Sequence, residues 1–563
     1  MNDINKKEDE SGNNNNSGNM YSYRDDNNNN INQNATVGEA IRRSIQQGNP
    51  NIDRNQNNYG GGYEHNYNNN INYYQQQNNF SNNNSYWLTF SIIGFFEVLI
   101  FILLAVFIDQ EKIKFEYEIS SDNIKFNYGL LRDMNVMVFI GFGMLHSLLR
   151  RNAWTSITMN TLMLALSVQY ALFFNFLWER AFKEDWKSSN LDFNFIINAI
   201  FISSSVLISL GCVLGKLSII QYIIMTVFET IICSLNYNLN DKKIKAYDHG
   251  GALYVHTFGT IFGLAISVVL FCSSKMKNSF RNYDYYNKTS YFSNKTSFLG
   301  MLFLFCFFPS FNSALGLKEE IRERGRINTY FSLLGSVISS FIISALLNGG
   351  RFVFEQILFG SISGALIISG CCTLCIDHWA PLIIGTLGGA ICVVLLSKAK
   401  PYFVKYRLQD ICNVVIVHGV SGLLGGFITP MFISSFQYRI GDREENMNHY
   451  LNITLGFAKE DNFQIKAGIQ IGVIFITIAI SFIGGVATGY LMKVSQCVKL
   501  SQYFTDIEFF REEEKDIFKY IEPNTLYNVE INNPSLFPKK MEYSSYNPYS
   551  YDIKGIGNQA SYY

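Results

Sequence analysis

The sequence predicts an all-α polytopic membrane protein of about twelve transmembrane helices, and three observations carry that prediction. Of 563 residues, 48% are apolar and only 16% charged, where an ordinary soluble chain carries about 25% charge. Apolar runs recur at about the 20 residues that a helix needs to cross a bilayer. A pattern of Asp, His and Gly occurs twice, five runs apart. The composition excludes a soluble multidomain enzyme. Charge is balanced, 45 Lys and Arg against 45 Asp and Glu, and no basic run is long enough for a nucleic-acid surface.

In chain order, residues 1–84 come first, with 28 Asn and almost no apolar cluster. Such a segment cannot bury enough apolar surface to offset its ordering entropy, so it is expected to be a disordered tail. It lacks the basic-then-apolar start of a cleaved signal peptide. The apolar runs follow near 87–108, 134–149, 156–178, 193–212, 217–235, 251–272, 297–315, 328–347, 352–374, 379–396, 413–436 and 467–492. The eighth and ninth could be one long element. An even number places both ends of the chain on the same side, and the Lys and Arg of the loops do not decide which side. The main intramembrane carboxylates are Glu97 in the first run and Glu229 in the fifth. Residues 85–492 thus form the membrane domain, and 493–563, rich in Tyr and Asn, a tail.

Ten cysteines lie mostly inside apolar runs, where a small, weakly polar side chain packs. Cys372 and Cys375 form a C-x-x-C with no second pair nearby, so packing is the expected role and no metal site or cofactor is implied.

The repeat carries the function. Asp248, His256 and Gly263 read D-x7-H-x6-G in the sixth run, and Asp410, His418 and Gly425 read the same in the eleventh. Runs five apart cross in opposite directions, so the pattern implies an inverted repeat of five plus five helices with one extra N-terminal span. Eight residues of helix place each His about 12 Å deeper than its Asp. Each Asp begins its helix from an opposite face, where a carboxylate suits the positive end of the dipole. Across a core of about 30 Å, the two imidazoles then approach each other near the midplane. A buried His pair there is costly unless the rings bond each other or line a cavity. Gly259 and Gly263 on one helix, and Gly422 and Gly425 on the other, let the backbones come close.

Val213-Leu214-Gly215-Lys216, Val255-His256-Thr257-Phe258-Gly259, Pro309-Ser310-Phe311-Asn312-Ser313-Ala314, and Asp410-Ile411-Cys412 through His418-Gly419 occur in an order that resembles the Rh (Rhesus glycoprotein) branch of the ammonium transporter superfamily. The resemblance covers roughly residues 87–492. It implies a narrow apolar pore lined by His256 and His418, one pore per subunit of a homotrimer, in the plasma membrane with both termini cytosolic. It implies an outer gate of Phe201 and Phe311. Asp248 and Asn312 would belong to the outer vestibule, Asp248 orienting backbone carbonyls toward the ammonium ion, and Asp410 to the inner mouth. Two departures stand out: Asn294 and Arg351 occupy positions where many animal members carry Asp, and 109–133 has no N-x-[ST] acceptor. His146, His249 and His378 match nothing functional and are expected at the surface or in packing.

The implied substrate is ammonia or ammonium, with methylamine and carbon dioxide as further small candidates. An intact ammonium ion costs several kcal/mol in hydrocarbon unless something replaces its water. Cation–π attraction returns about 0.5–2 kcal/mol at an outer site, which is too little for the whole crossing. Deprotonation before the narrow section is therefore expected. The competing classes are an ion-coupled secondary transporter, which needs broken helices around a midplane ion site, and a non-conducting sensor or structural relative, which would not need both histidines.

Overall fold

A computed structural model describes residues 84–110, 121–184, 186, 189–271, 288–316, 318–405, 410–439, 463–494 and 506. Of the expected tails, 1–84 and 493–563, only Asn84, Lys493, Val494 and Asp506 are among the described residues.

Among the described residues, twelve long helical elements are present. α1 is Asn84–Phe107. α2 runs through Ser121–Asn135, a π-helical turn Val136–Gly141 and Phe142–His146. α3 is Ala153–Lys183, α4 Phe193–Val213, and α5 Ile219–Asn238, extended by the π-helical Leu239–Ile244. α6 joins the π-helical turn Ala252–Thr257 to Phe258–Phe271. α7 is Tyr291–Ser313, α8 Glu319–Leu347, α9 Phe354–Ile368 and α10 Trp379–Lys398. α11 joins the π-helical turn Val415–Val420 to Ser421–Arg439, and α12 is Phe463–Val494. Ten of these are long and apolar enough to cross a membrane, and the shorter apolar stretches Ile93–Phe107 and Phe354–Ile368 fall in the first and ninth expected places. The protein is thus an all-α polytopic membrane protein. Strand is confined, among the described residues, to the parallel pair Ile108–Gln110 and Ser189–Leu191.

The eighth and ninth runs are separate helices. α8 ends at Asn348, and Gly349 and Gly350 follow with φ of +62° and +84°. The Gly350 N–H returns to the Ala345 carbonyl at 2.8 Å, the glycine-terminated stop of a helix. Other ends are closed by side chains: Asp192 accepts from the Phe195 N–H at the start of α4, and Ser218 with Gln221 forms a capping box at the start of α5.

α2–α6 and α7–α11 are the two five-helix sets. α3 packs on α4 and α5 as α8 packs on α9 and α10, while α12 lies across α5, α6 and α11. α4 is almost wholly buried at the centre. α1 lies outside against α3 and α5 through Ile100, Leu166, Tyr170, Phe173, Ile223 and Val227. Its other face leaves Phe95, Phe101 and Val106 exposed, as a lipid-facing helix does.

Candidate functional site

The two halves of the repeat build the same local structure, and it begins at the aspartates. Asp248 is buried, and its carboxylate accepts three N–H bonds at 2.8 Å, from Ala252, Leu253 and Tyr254. Asp410 accepts from Val414 at 2.7 Å and Val415 at 2.8 Å. Each carboxylate therefore satisfies orphan donors at the start of its helix. Three residues on, Gly251 and Asn413 both take the left-handed conformation, with φ of +79° and +54°. Gly and Asn are the residues that tolerate it. Each then feeds a π-helical turn, and each turn carries the histidine: His256 in Ala252–Thr257, His418 in Val415–Val420.

The two imidazoles meet. Their Nδ1 atoms are 3.3 Å apart, with ring centroids at 5.3 Å. Both rings are buried, and the Nε2 of His256 has no hydrogen-bond partner. A shared Nδ1 contact needs one ring to donate and the other to accept, so at least one imidazole is neutral.

Outside the pair, Phe201 and Phe311 stack at 5.2 Å and 19°, both fully buried. Phe308 links them to the histidines, edge-on to Phe311 at 6.2 Å and 6.4 Å from His256. Asn312 lies beside this stack on α7. Its Nδ2 donates to Thr329 Oγ1 at 3.2 Å and the Ala365 carbonyl at 2.9 Å, while its buried Oδ1 has no partner. Inside the pair, Phe142 stacks on His418 at 6.2 Å and 26°. The rings of Phe201, Phe311, Phe308, His256, His418 and Phe142 thus form one continuous file.

Glycine makes the close approach possible. A Cβ on Gly259 would lie 2.5 Å from the Ser205 carbonyl oxygen, and one on Gly263 2.7 Å from Ser209 Cα. A Cβ on Gly422 would lie 2.6 Å from the Ala252 carbonyl oxygen and 3.0 Å from His256 Cβ, and one on Gly425 2.6 Å from the Ile367 carbonyl oxygen. Gly251 adds a further approach, since a Cβ there would press on Phe201 at 2.8 Å.

Burial sets the electrostatics at the two aspartates. It pushes the Asp248 carboxyl up to about 7 against its three N–H bonds, and Asp410 up to about 6. Near Asp410, burial pushes Lys216 down to about 7, with its Nζ 4.5 Å from the centre of the Phe271 ring.

Of the other sequence candidates, His249 packs on Tyr247 at 4.4 Å and shares a hydrogen bond of 2.9 Å with Thr373 Oγ1, and His378 is exposed. Cys372 is buried and donates toward the Asn312 carbonyl, while Cys375 is exposed and free, so packing describes the first and not the second. Asn294 is in α7 and Arg351 in the turn before α9. Glu229 is fully buried and accepts from Ser209 at 2.5 Å. Nothing in the sequence singles out Phe308 or Phe142, because two more phenylalanines among 47 carry no signal of their own.

An apolar file that ends on imidazoles with an unpartnered nitrogen suits a small neutral molecule able to hydrogen-bond, and opposes an ion that must keep its water.

Comparison with known proteins shows the family. The profile of the Ammonium Transporter Family matches residues 96–508. The chain is 29% identical to human ammonium transporter Rh type C over 375 residues, 66% of this chain and 75% of that protein. It is 30% identical to Rh type B of Xenopus tropicalis over 380 residues, 67% of this chain and 79% of that protein. Among solved structures, the Rh50 channel of Nitrosomonas europaea superposes with a TM-score of 0.58 at 25% identity, covering 74% of this chain and all of that one. A sensor Amt protein superposes with a TM-score of 0.53 at 16% identity, over 69% of this chain and 98% of that one, a likeness of fold.

Proposed function

The chain belongs to the ammonium transporter family, and from that premise we propose that it is a channel passing ammonia one molecule at a time between His256 and His418. The observation that carries the proposal is the buried imidazole pair at 3.3 Å, with an unpartnered Nε2, behind a closed aromatic stack.

Ammonium would be gathered at the outer mouth, between the Phe201–Phe311 stack and the unpartnered amide oxygen of Asn312. Cation–π attraction there stabilises a cation by about 0.5–2 kcal/mol. Entry into the file strips the remaining water, and a neutral amine loses only hydrogen bonds where an ion loses its whole charge solvation. The proton therefore stays behind and ammonia moves on. The imidazoles return hydrogen bonds at the midplane, donating to the ammonia nitrogen or accepting from its N–H. Asp248 and Asp410 act one step back: their oxygens are filled by backbone N–H groups, so they fix the π-helical turns that aim the histidines. The role that the resemblance implies for Asp248, orienting backbone carbonyls toward the ion, is likewise one step back from the ion.

The proposal extends to the whole chain as follows. Residues 1–84 and 493–563 are cytosolic tails of an 85–492 channel domain in the plasma membrane, the subunits assemble as a homotrimer with one pore each, and no reaction is catalysed. Methylamine and carbon dioxide are further candidates to pass.

The test pairs two measurements on purified protein in liposomes: ammonia permeability by stopped flow, and current under voltage clamp. Wild type should conduct ammonia without current. His256→Leu and His418→Leu keep the file apolar and remove a hydrogen-bond partner, so permeability should fall about tenfold, the weight of roughly 1.4 kcal/mol, still without current. His256→Asp puts an anion in the file and should admit cations as current. Wild-type permeability and zero current in all three variants would return the pair to packing.

A further inference from the structure

The aromatic file does not stop at Phe142. One turn further along α2 stands His146, which the sequence reading left to surface or packing. The structure buries it. It is 3% exposed, its ring centroid is 5.8 Å from that of Phe142, edge to face, and Phe142 is the ring that stacks on His418. The Nδ1 of His146 is buried without a hydrogen-bond partner. Beside the ring is Asn160 of α3, whose Nδ2 donates to the Val138 carbonyl at 3.2 Å while its Oδ1 is likewise buried and unpartnered. The Nε2 edge faces Gly211, where a Cβ would meet it at 3.5 Å and would also meet Cys412 Cβ and Val414 Cγ2. Val414 is a residue that Asp410 holds at the start of α11. His146 therefore stands between the His256–His418 pair and the inner mouth.

Packing alone is a poor account of this arrangement. The imidazole nitrogen and the amide oxygen stand side by side without a well-formed hydrogen bond between them, and a buried polar group so left costs about 1–3 kcal/mol. A leucine or methionine would fill the same space without that cost. The cost is recovered if a small molecule with both donors and an acceptor visits the spot. Ammonia has three N–H donors and one lone pair, so it can bond the His146 Nδ1 in either tautomer while donating to the amide oxygen of Asn160.

We propose that His146, with Asn160 beside it, is a third histidine station of the conduit: an inner binding site for neutral ammonia between the His256–His418 pair and the inner mouth. This rests on the channel reading above. Ammonia leaving the midplane pair passes the face of Phe142, which offers no hydrogen bond, and regains one at His146 before reaching water near Asp410. Without that station the stretch without hydrogen-bond partners runs from His418 to the inner mouth.

The experiment is stopped-flow ammonia permeability of His146→Leu, His146→Gln and wild type in liposomes, with the melting temperature of each. A hydrogen-bonding station predicts that Leu lowers permeability about threefold to tenfold, the weight of one hydrogen bond, and that Gln, which keeps an acceptor and a donor, recovers most of it at an equal or lower melting temperature. Two results overturn the inference while wild type still conducts: permeability at the wild-type value in both variants, or losses in both that follow their melting temperatures. A wild-type protein that raises no ammonia permeability over empty liposomes instead overturns the channel reading itself, and the inference with it.

Discussion

Asp248 and Asp410 show how a single carboxylate can matter without touching substrate. Each holds the start of a helix whose second turn carries one of the paired histidines, Asp248 while buried and Asp410 while partly buried. For Asp248 the folded-state value near 7 exceeds the ordinary 3.8, so the folded protein keeps a proton that the unfolded chain releases. The stability from this group is fully present below 3.8 and is lost as pH rises through about 7. Asp410 acts in the same direction, up to about 6. The melting temperature of wild type should therefore fall between pH 4 and pH 7. Asp248→Asn, which does not titrate, should show a shallower fall and a melting temperature lowered by the loss of one capping oxygen, about 0.5–2 kcal/mol. Parallel curves for the two proteins would remove Asp248 from this account. The histidine pair was legible in the sequence because His256 and His418 sit in a repeat with fixed spacing from an Asp and a Gly. Phe201 and Phe311 were legible only through family resemblance, since phenylalanine is too common in this chain to signal anything alone. His146 has no counterpart in the repeat, and its unpartnered nitrogen is a property of what surrounds it.

The element scale adds what residue types cannot encode. The spans were legible as apolar runs, and the stop between α8 and α9 is one that Gly349-Gly350 makes. The π-helical turns were not, because a π turn and an α turn draw on the same apolar residues; what distinguishes them here is the left-handed residue before each, Gly251 and Asn413. In both turns the histidine falls in the last two or three residues, one turn deeper than the cap. Their mutual approach then depends on α11 lying against α6 at Gly422. Gly422→Ala would place a methyl 2.6 Å from the Ala252 carbonyl oxygen, so α11 must move off and carry His418 from His256. Overpacking of this kind costs about 1–3 kcal/mol. The expected result is a lower melting temperature together with lost permeability. Gly468→Ala on α12, where nothing lies within 4 Å of a new Cβ, should change neither. Equal behaviour of the two variants would show that the helix contact does not set the pore.

At the scale of the whole molecule, the apolar runs and the inverted repeat were sufficient for the architecture, because span length and direction follow from hydrocarbon thickness and backbone hydrogen bonding alone. Deleting residues 1–83, which precede α1, should leave permeability and the oligomeric state in detergent as in wild type. The expected mass is that of three 64.3 kDa chains before deletion, read by light scattering with detergent subtracted. A monomer after deletion, or at the start, would overturn the corresponding half of that expectation.

The glycine contacts also bear on kinetics. At Gly259, Gly263, Gly422 and Gly425 the helices that carry the histidines touch their neighbours at backbone level. Surfaces so closely keyed have no slack in which one half of the repeat can swing past the other, and a carrier needs that swing to return empty. The bore is in that sense fixed. Nothing then links the passage of one molecule to that of another arriving from the far side. Nitrogen-15 ammonia loaded into vesicles at clamped pH should leave at one rate, whether unlabelled ammonia waits outside or not. An outflow hastened by the unlabelled pool would mean that the glycine-packed helices trade places after all.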